Sequence, residues 1–258
     1  AIGTGQTAAF PPESIGRRAQ IEATRDAVNA AMREAGIAQT DDVHWVQIKC
    51  PLLTKARMGE AHARGQDIVC HDTYESMAYS RGASAMGVAL ALGEASDADA
   101  AARGLNQDWH QYATRASTSA GVELMRNELL VLGNSAAWHG EFAIQHSVMQ
   151  DAFDLPAITR VLERLGLDAP DQLSAASRER LVAVLAKAEA SRTGTIRGYR
   201  HVMWDDSDIP ATRHARALVG GVLGGVIGHG ALFVSGGAEH QGPDGGGPLA
   251  LIAHHPAG

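Results

Sequence analysis

Three residue types recur in one order along this chain: a lysine, an arginine beside a small-residue helix, and a serine in a Ser-small-Gly-apolar-Glu string. In the N-terminal half these are Lys49 ending "VQIK", Arg81 opening "RGASAMG" and Ser119 in "SAGVE". In the C-terminal half they are Lys187 ending "LAK", Arg213 of "RHARALVG" with Arg216 close behind it, and Ser235 in "SGGAE". From lysine to serine is 70 residues in the first half (49 to 119) and 48 in the second (187 to 235). The extra length falls in loops, where insertions are tolerated. Chance likeness between small-residue helices is the rival explanation, and three ordered anchors recurring together weigh against it.

A serine hydroxyl is a weak nucleophile without a base, and the recurring partner here is lysine rather than histidine. A lysine serves as base when burial and a neighbouring cation bring its pKa from about 10.4 toward roughly 7–8. "HWVQIKCPLL" is expected to bury Lys49 among Trp45, Val46, Ile48 and Leu52. The competing reading of Lys49 is a solvated lysine at a strand tip. Glycine near each serine lets backbone N–H groups approach a bound carbonyl as an oxyanion hole. Arg81 and either Arg213 or Arg216, expected near helix starts, have the fork geometry for a carbonyl or imide edge; singly, each also reads as a surface ion pair.

The C-terminal "AEHQGPDGGG" carries a second possibility. A tightly turning backbone and the Gln241 side chain offer oxygen ligands of the kind that Mg²⁺ or Ca²⁺ takes, with an ordinary wide loop as the alternative. Zinc is disfavoured, because His240, His254 and His255 lack a ligand spacing. "GTGQTA" at 3–8 matches the dinucleotide letter pattern but shows no preceding strand and runs into Pro-Pro. There is no G-K-[ST] phosphate loop and no G-x-S-x-G elbow. "DDSDIP" at 205–210 reads as a solvated turn.

The elements that must position these residues follow from periodicity. Residues 11–37 read as an amphipathic helix with proline at its start and Gly36 at its end. Residues 43–49 read as a strand stopped by Pro51, 81–95 as a small-residue helix, and 113–124 and 127–136 as extended segments. After a polar and aromatic stretch at 138–154 the cycle begins again. "LPAITRVLERLGL" and "DQLSAASRERLVAVLAKAEA" read as helices, 195–204 as strand-like, and 213–230 as a second small-residue helix. "ALFVSGGAEH" and "PLALIAHH" then close the chain as extended segments. The apolar run 217–234 is full of glycine and reads as a buried helix and a strand rather than a membrane span.

The chain has 258 residues, 20% of them charged, and a formal net charge of −7. That is enough for one large domain or two modest ones. The acidic balance, without a dense Lys/Arg run, argues against a nucleic-acid groove. Two cysteines without a C-x-x-C, and no visible signal peptide, suggest a reduced cytoplasmic setting.

"HWVQIKCPLLT", "SRGASAMGVALALGE", "KAEA", "DDSDIPATRHARALVGG" and "VSGGAEHQGPDGGGP" together resemble the ring-opening amidohydrolases, the family of cyanuric acid hydrolase and barbiturase. The resemblance runs over nearly the whole chain. It implies an α/β (α+β) fold of tandem pseudo-symmetric repeats, each a small sheet packed by helices, around a pseudo-threefold axis. Residues 1–137 would be the second repeat and 138–258 the third, and the first is expected to be absent or supplied by a separate segment. The implied reaction is hydrolytic opening of a cyclic amide, cyanuric acid to carboxybiuret and then biuret and CO₂, a step of s-triazine degradation. Barbituric acid is the alternative substrate, and a non-catalytic small-ligand binding protein the alternative role.

The resemblance implies Ser119 as nucleophile and Lys49 as its base, with Arg81 and Ser119-Ala120 binding the substrate. Lys187, Arg216 or Arg213, and Ser235-Gly236 would bind another edge of the ring. A structural Mg²⁺ or Ca²⁺ would sit on Glu189, Ala238, Gln241, Gly242, Pro243 and Gly246, with no organic cofactor. The implied assembly is a homo-oligomer, a tetramer, without nucleic-acid or membrane partners.

Overall fold

A computed structural model describes residues 1–255, and the chain divides into two compact units. The first comprises Ala1–Ala137 together with Glu239–Gln241, and the second Trp138–Ala238 with Gly242–Gly258.

The first unit runs β1 (Ile2–Gln6), α1 (Arg18–Glu34), β2 (Val43–Cys50), α2 (Lys55–Ala63), α3 (Thr73–Ala91), α4 (Ala98–Gly104), β3 (Ala116–Ala120) and β4 (Glu128–Gly133). Its four strands form one sheet in the order β1-β4-β2-β3. The pairs β1–β4 and β4–β2 are antiparallel, and β2–β3 is parallel. Helices α1 and α3 pack on one face and on each other. Small residues permit this closeness: a Cβ at Gly3 would lie 1.9 Å from the Ala31 carbonyl oxygen, and one at Gly87 would lie 2.6 Å from that of Ile21. The seam also holds buried polar groups. Gln20 Nε2 donates to Ser80 Oγ at 2.9 Å, and Asn127 Nδ2 donates to Ser84 Oγ at 2.9 Å, which fixes α3 on either side of Arg81. Val46, Ile48 and Cys50 of β2 enter the core with Ile21, Val28, Met86 and Val131.

The second unit runs β5 (Phe142–Met149), α5 (Leu155–Arg164), α6 (Ala175–Arg180), β6 (Leu181–Ala188), β7 (Thr195–Ile196), β8 (Tyr199–Arg200), α7 (Ala211–Ile227), β9 (Phe233–Gly236) and β10 (Gly247–His254). Its main sheet has the order β5-β10-β6-β9, again antiparallel, antiparallel and parallel. Strand for strand this is the order of the first unit. A lysine strand has the last strand of its unit on one side and a parallel serine strand on the other. The mixed α/β class with small sheets packed by helices is therefore what the structure shows. Among the described residues no helix is long and apolar enough to cross a membrane.

Several local readings need correction. "LVAVLAKA" is the strand β6 rather than the end of a helix; the helix stops at Arg180. Its β-branched and apolar residues pair with β10 and β9, so sheet burial overrides the helical propensity of Ala, Leu and Lys. Residues 142–149 form the strand β5, hidden in sequence by polar residues on its half-buried face. Residues 2–6, read only as a failed glycine motif, form β1. Of 195–204, only two-residue strands form a small hairpin. Helix α3 begins at Thr73, capped by the Asp72 side chain accepting from Glu75 N, so Arg81 lies mid-helix rather than near the start. Asp205 of "DDSDIP" accepts from Ala211 N at 2.7 Å, which makes that turn the entry to α7.

Candidate active site

Parallel strands in register put side chains of the same parity on one face of the sheet. Lys49 of β2 stands beside Ser119 of β3, and Lys187 of β6 stands beside Ser235 of β9. In the first unit the residues on either side of this pair face the helices: Ile48 and Cys50 are core, and Thr118 Oγ1 donates to the Arg81 carbonyl at 3.0 Å. Lys49 and Ser119 therefore share the face turned away from α1 and α3. In the second unit Val184, Ala186 and Ala188 are core, which leaves Lys187 and Ser235 on the opposite face.

The two lysines are held differently. Lys187 is 0% exposed and donates to Ser235 Oγ at 3.1 Å and to the Gly236 carbonyl at 3.0 Å. Lys49 has a side chain 39% exposed, and its ammonium pairs with Glu123 at 2.8 Å. The burial expected of Lys49 is thus found on Lys187 instead. Strand alternation sends the apolar neighbours Val46 and Ile48 into the core and turns Lys49, like Lys187, out of it, so burial depends on what covers that outer face rather than on the neighbours in sequence. Glu123 folds back over Gly121, where a Cβ would lie 2.0 Å from its Oε2. Its carboxyl is held below the ordinary value, chiefly by the Lys49 hydrogen bond. Ser119 is half-buried, and its hydroxyl makes no hydrogen bond among the described residues.

Arg81 lies on α3 and presents Nε and a terminal nitrogen to the two oxygens of Glu239, both at 2.6 Å. Arg213 and Arg216 are both exposed on α7. Arg216 is the one beside the serine strand: a Cβ at Gly236 would lie 3.2 Å from its Cδ. Of the glycines expected to supply an oxyanion hole, Gly121 donates its N–H to the Cys50 carbonyl at 2.9 Å and Gly237 donates to Thr212 Oγ1 at 3.1 Å. What remains for such a role is the main chain of Ser119-Ala120 and Ser235-Gly236.

The expected cation ligands divide. Glu189 accepts from Ala190 N and Ala238 N, each at 3.1 Å. Gly242 turns through φ +92°, Gly246 N donates to the Pro243 carbonyl at 2.9 Å, and Asp244 accepts from Ser191 Oγ at 2.8 Å. Gln241 belongs to the first unit, where its Oε1 accepts from Thr118 N at 2.6 Å. Among the described residues no group of three or more His, Cys, Asp or Glu could hold a metal ion. The oxygens of Glu189 and its turn suit only a hard cation.

Sequence reasoning passed over Glu123, Glu239 and Thr118 as functional side chains. The recurring final glutamate of "SAGVE" and "SGGAE" was the available signal for the two carboxylates; Thr118 had none.

A family model described as amidohydrolase ring-opening protein matches residues 1–254. The cyanuric acid amidohydrolase of Ectopseudomonas oleovorans (strain CECT 5344) is 59% identical over 252 residues, 98% of this chain and 68% of that protein. The cyanuric acid amidohydrolase of Pseudomonas sp. (strain ADP) is 50% identical over the same shares. A solved cyanuric acid hydrolase from A. caulinodans superposes with a TM-score of 0.91 at 50% identity, covering 100% of this chain and 71% of that one.

Proposed function

Because the chain belongs to the ring-opening amidohydrolase family, we propose that it hydrolyses a cyclic amide and that cyanuric acid is its substrate. The observation that carries this reading is the pairing of Lys49 with Ser119 and of Lys187 with Ser235, in the same parallel register, in a chain 59% identical to a cyanuric acid amidohydrolase.

In the proposed mechanism Ser119 is the nucleophile. Its hydroxyl is unengaged, and Lys49 stands beside it as the base that takes its proton. For Lys49 to accept that proton its ammonium must leave Glu123 and first give up a proton to solvent, and the half-exposed position of both side chains permits this. Attack by Oγ on a ring carbonyl opens the C–N bond. The amide nitrogen leaves with a proton from the lysine, and water then hydrolyses the acyl-serine to carboxybiuret, which loses CO₂ to give biuret. Arg81 is proposed to bind a ring carbonyl. Lys187, buried against Ser235, is assigned to substrate binding with Ser235-Gly236 and Arg216.

A structural Mg²⁺ or Ca²⁺ is proposed on Glu189 and the carbonyls of Ala238, Gly242, Pro243 and Gly246. Gln241 Oε1 already accepts from Thr118 N, as the Glu189 oxygens accept from Ala190 N and Ala238 N and the Pro243 carbonyl from Gly246 N. Such an ion would supply local rigidity to the turn behind Ser235, not a reacting water. A cytoplasmic homotetramer is proposed on the family resemblance alone. The test of the reading is turnover: loss of cyanuric acid ring absorbance with appearance of biuret, run beside barbituric acid. Binding of cyanuric acid without its loss would overturn hydrolysis, and faster loss of barbituric acid would overturn the substrate.

A further inference from the structure

Glu239, His240 and Gln241 each spend their side chains inside the first unit. Glu239 forks onto Arg81, both bonds at 2.6 Å. Gln241 Oε1 accepts from Thr118 N at 2.6 Å, one residue before Ser119. Between them the His240 ring is buried and stacks on Trp109 with centroids 4.9 Å apart and planes 16° from parallel. Asn106 N donates to its Nε2 at 2.9 Å, so that nitrogen is bare. Nδ1 therefore carries the proton and donates it to the Gln111 carbonyl at 2.6 Å. A Cβ at Gly82 would lie 2.9 Å from the ring, so the residue after Arg81 must be small for the imidazole to fit.

The backbone reinforces the same seat. His240 has φ +57°, a left-handed conformation that a non-glycine residue keeps only where its surroundings fix it. Its carbonyl accepts from Ala113 N at 2.8 Å, and Ala113 and Gln241 form a parallel bridge. Strand β3 is the edge of its sheet and has donors without a strand to receive them. The tripeptide receives one of them, at Thr118, and also the N–H of Ala113 just ahead of the strand.

Resting on the cyclic-amide reading, we propose that His240 is a positioning residue: its ring seats the tripeptide, so that Glu239 aims Arg81 and Gln241 sets the backbone that carries Ser119. Nothing places His240 in contact with reacting atoms, and it acts through its two neighbours.

The experiment is steady-state kinetics with cyanuric acid on this protein and four variants (His240→Ala, His240→Asn, Glu239→Gln and the Glu239→Gln/His240→Ala double), together with amide exchange at Ala113 and Thr118. His240→Ala should lower kcat/KM about tenfold to a hundredfold, the scale set by small misplacement of a binding or reacting group. KM should rise, because Arg81 loses its aim; a merely structural loss would reduce the active fraction and leave KM unchanged. His240→Asn tolerates the left-handed backbone and can still donate to the Gln111 carbonyl, so it should recover most of the loss. Glu239→Gln combined with His240→Ala should fall no further than the worse single variant. Both amides should exchange faster in His240→Ala. Unchanged KM, fully multiplicative losses or retained protection at both amides would each overturn the proposal. If the unsubstituted protein does not turn over cyanuric acid, the functional reading fails, and the exchange arm still decides the role of His240.

Discussion

Lys187 stands in parallel register with Ser235, and its buried ammonium donates to the Ser235 hydroxyl at 3.1 Å. The counterpart lysine in the first unit has the same register with its serine but gives its ammonium to a carboxylate. One arrangement is closed on itself, and the other keeps a hydroxyl open to react.

That contrast sets the first prediction. Ser119→Ala and Lys49→Ala should each lower kcat by at least about a thousandfold, the scale of losing a nucleophile or its base, with circular dichroism unchanged. Ser235→Ala should act mainly by raising KM. A Ser119→Ala protein of near-normal rate beside an inactive Ser235→Ala protein would move the nucleophile to the second unit.

The Lys49–Glu123 pair yields a prediction in pH. The Lys49 hydrogen bond holds the Glu123 carboxyl below its ordinary value. A depressed folded pKa means that the pair stabilises above the unfolded value, near pH 4.3, and that the contribution fades as pH falls through the folded value. Glu123→Gln should therefore flatten the acid limb of the melting temperature below about pH 4. At pH 7 the pair is half-exposed and screened, so the variant should lie within about 1 kcal/mol of the parent. An acid limb identical in both proteins would remove the pair from the stability balance.

For the cation, Glu189→Gln is a sharper variant than Glu189→Ala, since its amide oxygen can still accept from one of the two donors, Ala190 N or Ala238 N, while the charge is lost. Adding Mg²⁺ or Ca²⁺ should raise the melting temperature of the parent by mass action, and a chelator should lower it. Glu189→Gln should be indifferent to both. A chelator effect that survives this substitution would place any ion elsewhere.

Packing between the first unit's helices is tested at Gly87. A Cβ there would meet Thr24 Cβ at 2.5 Å and the Ile21 carbonyl at 2.6 Å, and a carbonyl in a helix cannot step aside. Gly87→Ala should destabilise by about 1–3 kcal/mol through overpacking, seen as a fall of several degrees in melting temperature. Gly59→Ala, where a Cβ meets nothing within 4 Å, is the control and should not fall. Equal behaviour of the two would show that α1 and α3 are not in contact at this point.

The sequence by itself determined the chemistry-bearing strings and much of the local structure. Alternation in "VHWVQIK" and the small-residue run after Arg81 are local patterns, readable because a strand has period two and a close helix seam excludes bulk. The recurrence of lysine, arginine and serine in one order was legible as well, and the family resemblance was carried by strings around those residues, "VSGGAEHQGPDGGGP" among them. Tertiary structure decided what depends on neighbours distant in sequence. "LVAVLAKA" is a strand because β10 and β9 flank it, against its own helical propensity. Lys187 is buried and Lys49 half-exposed, although both end similar strings, because burial is set by what covers a face and not by the apolar residues beside it in sequence. Glu239 meets Arg81 across 158 residues, and Gln241 meets Thr118 across 123, separations at which no periodicity carries information. Those two contacts fix the arginine and the serine strand in place, and only the folded chain brings their partners together.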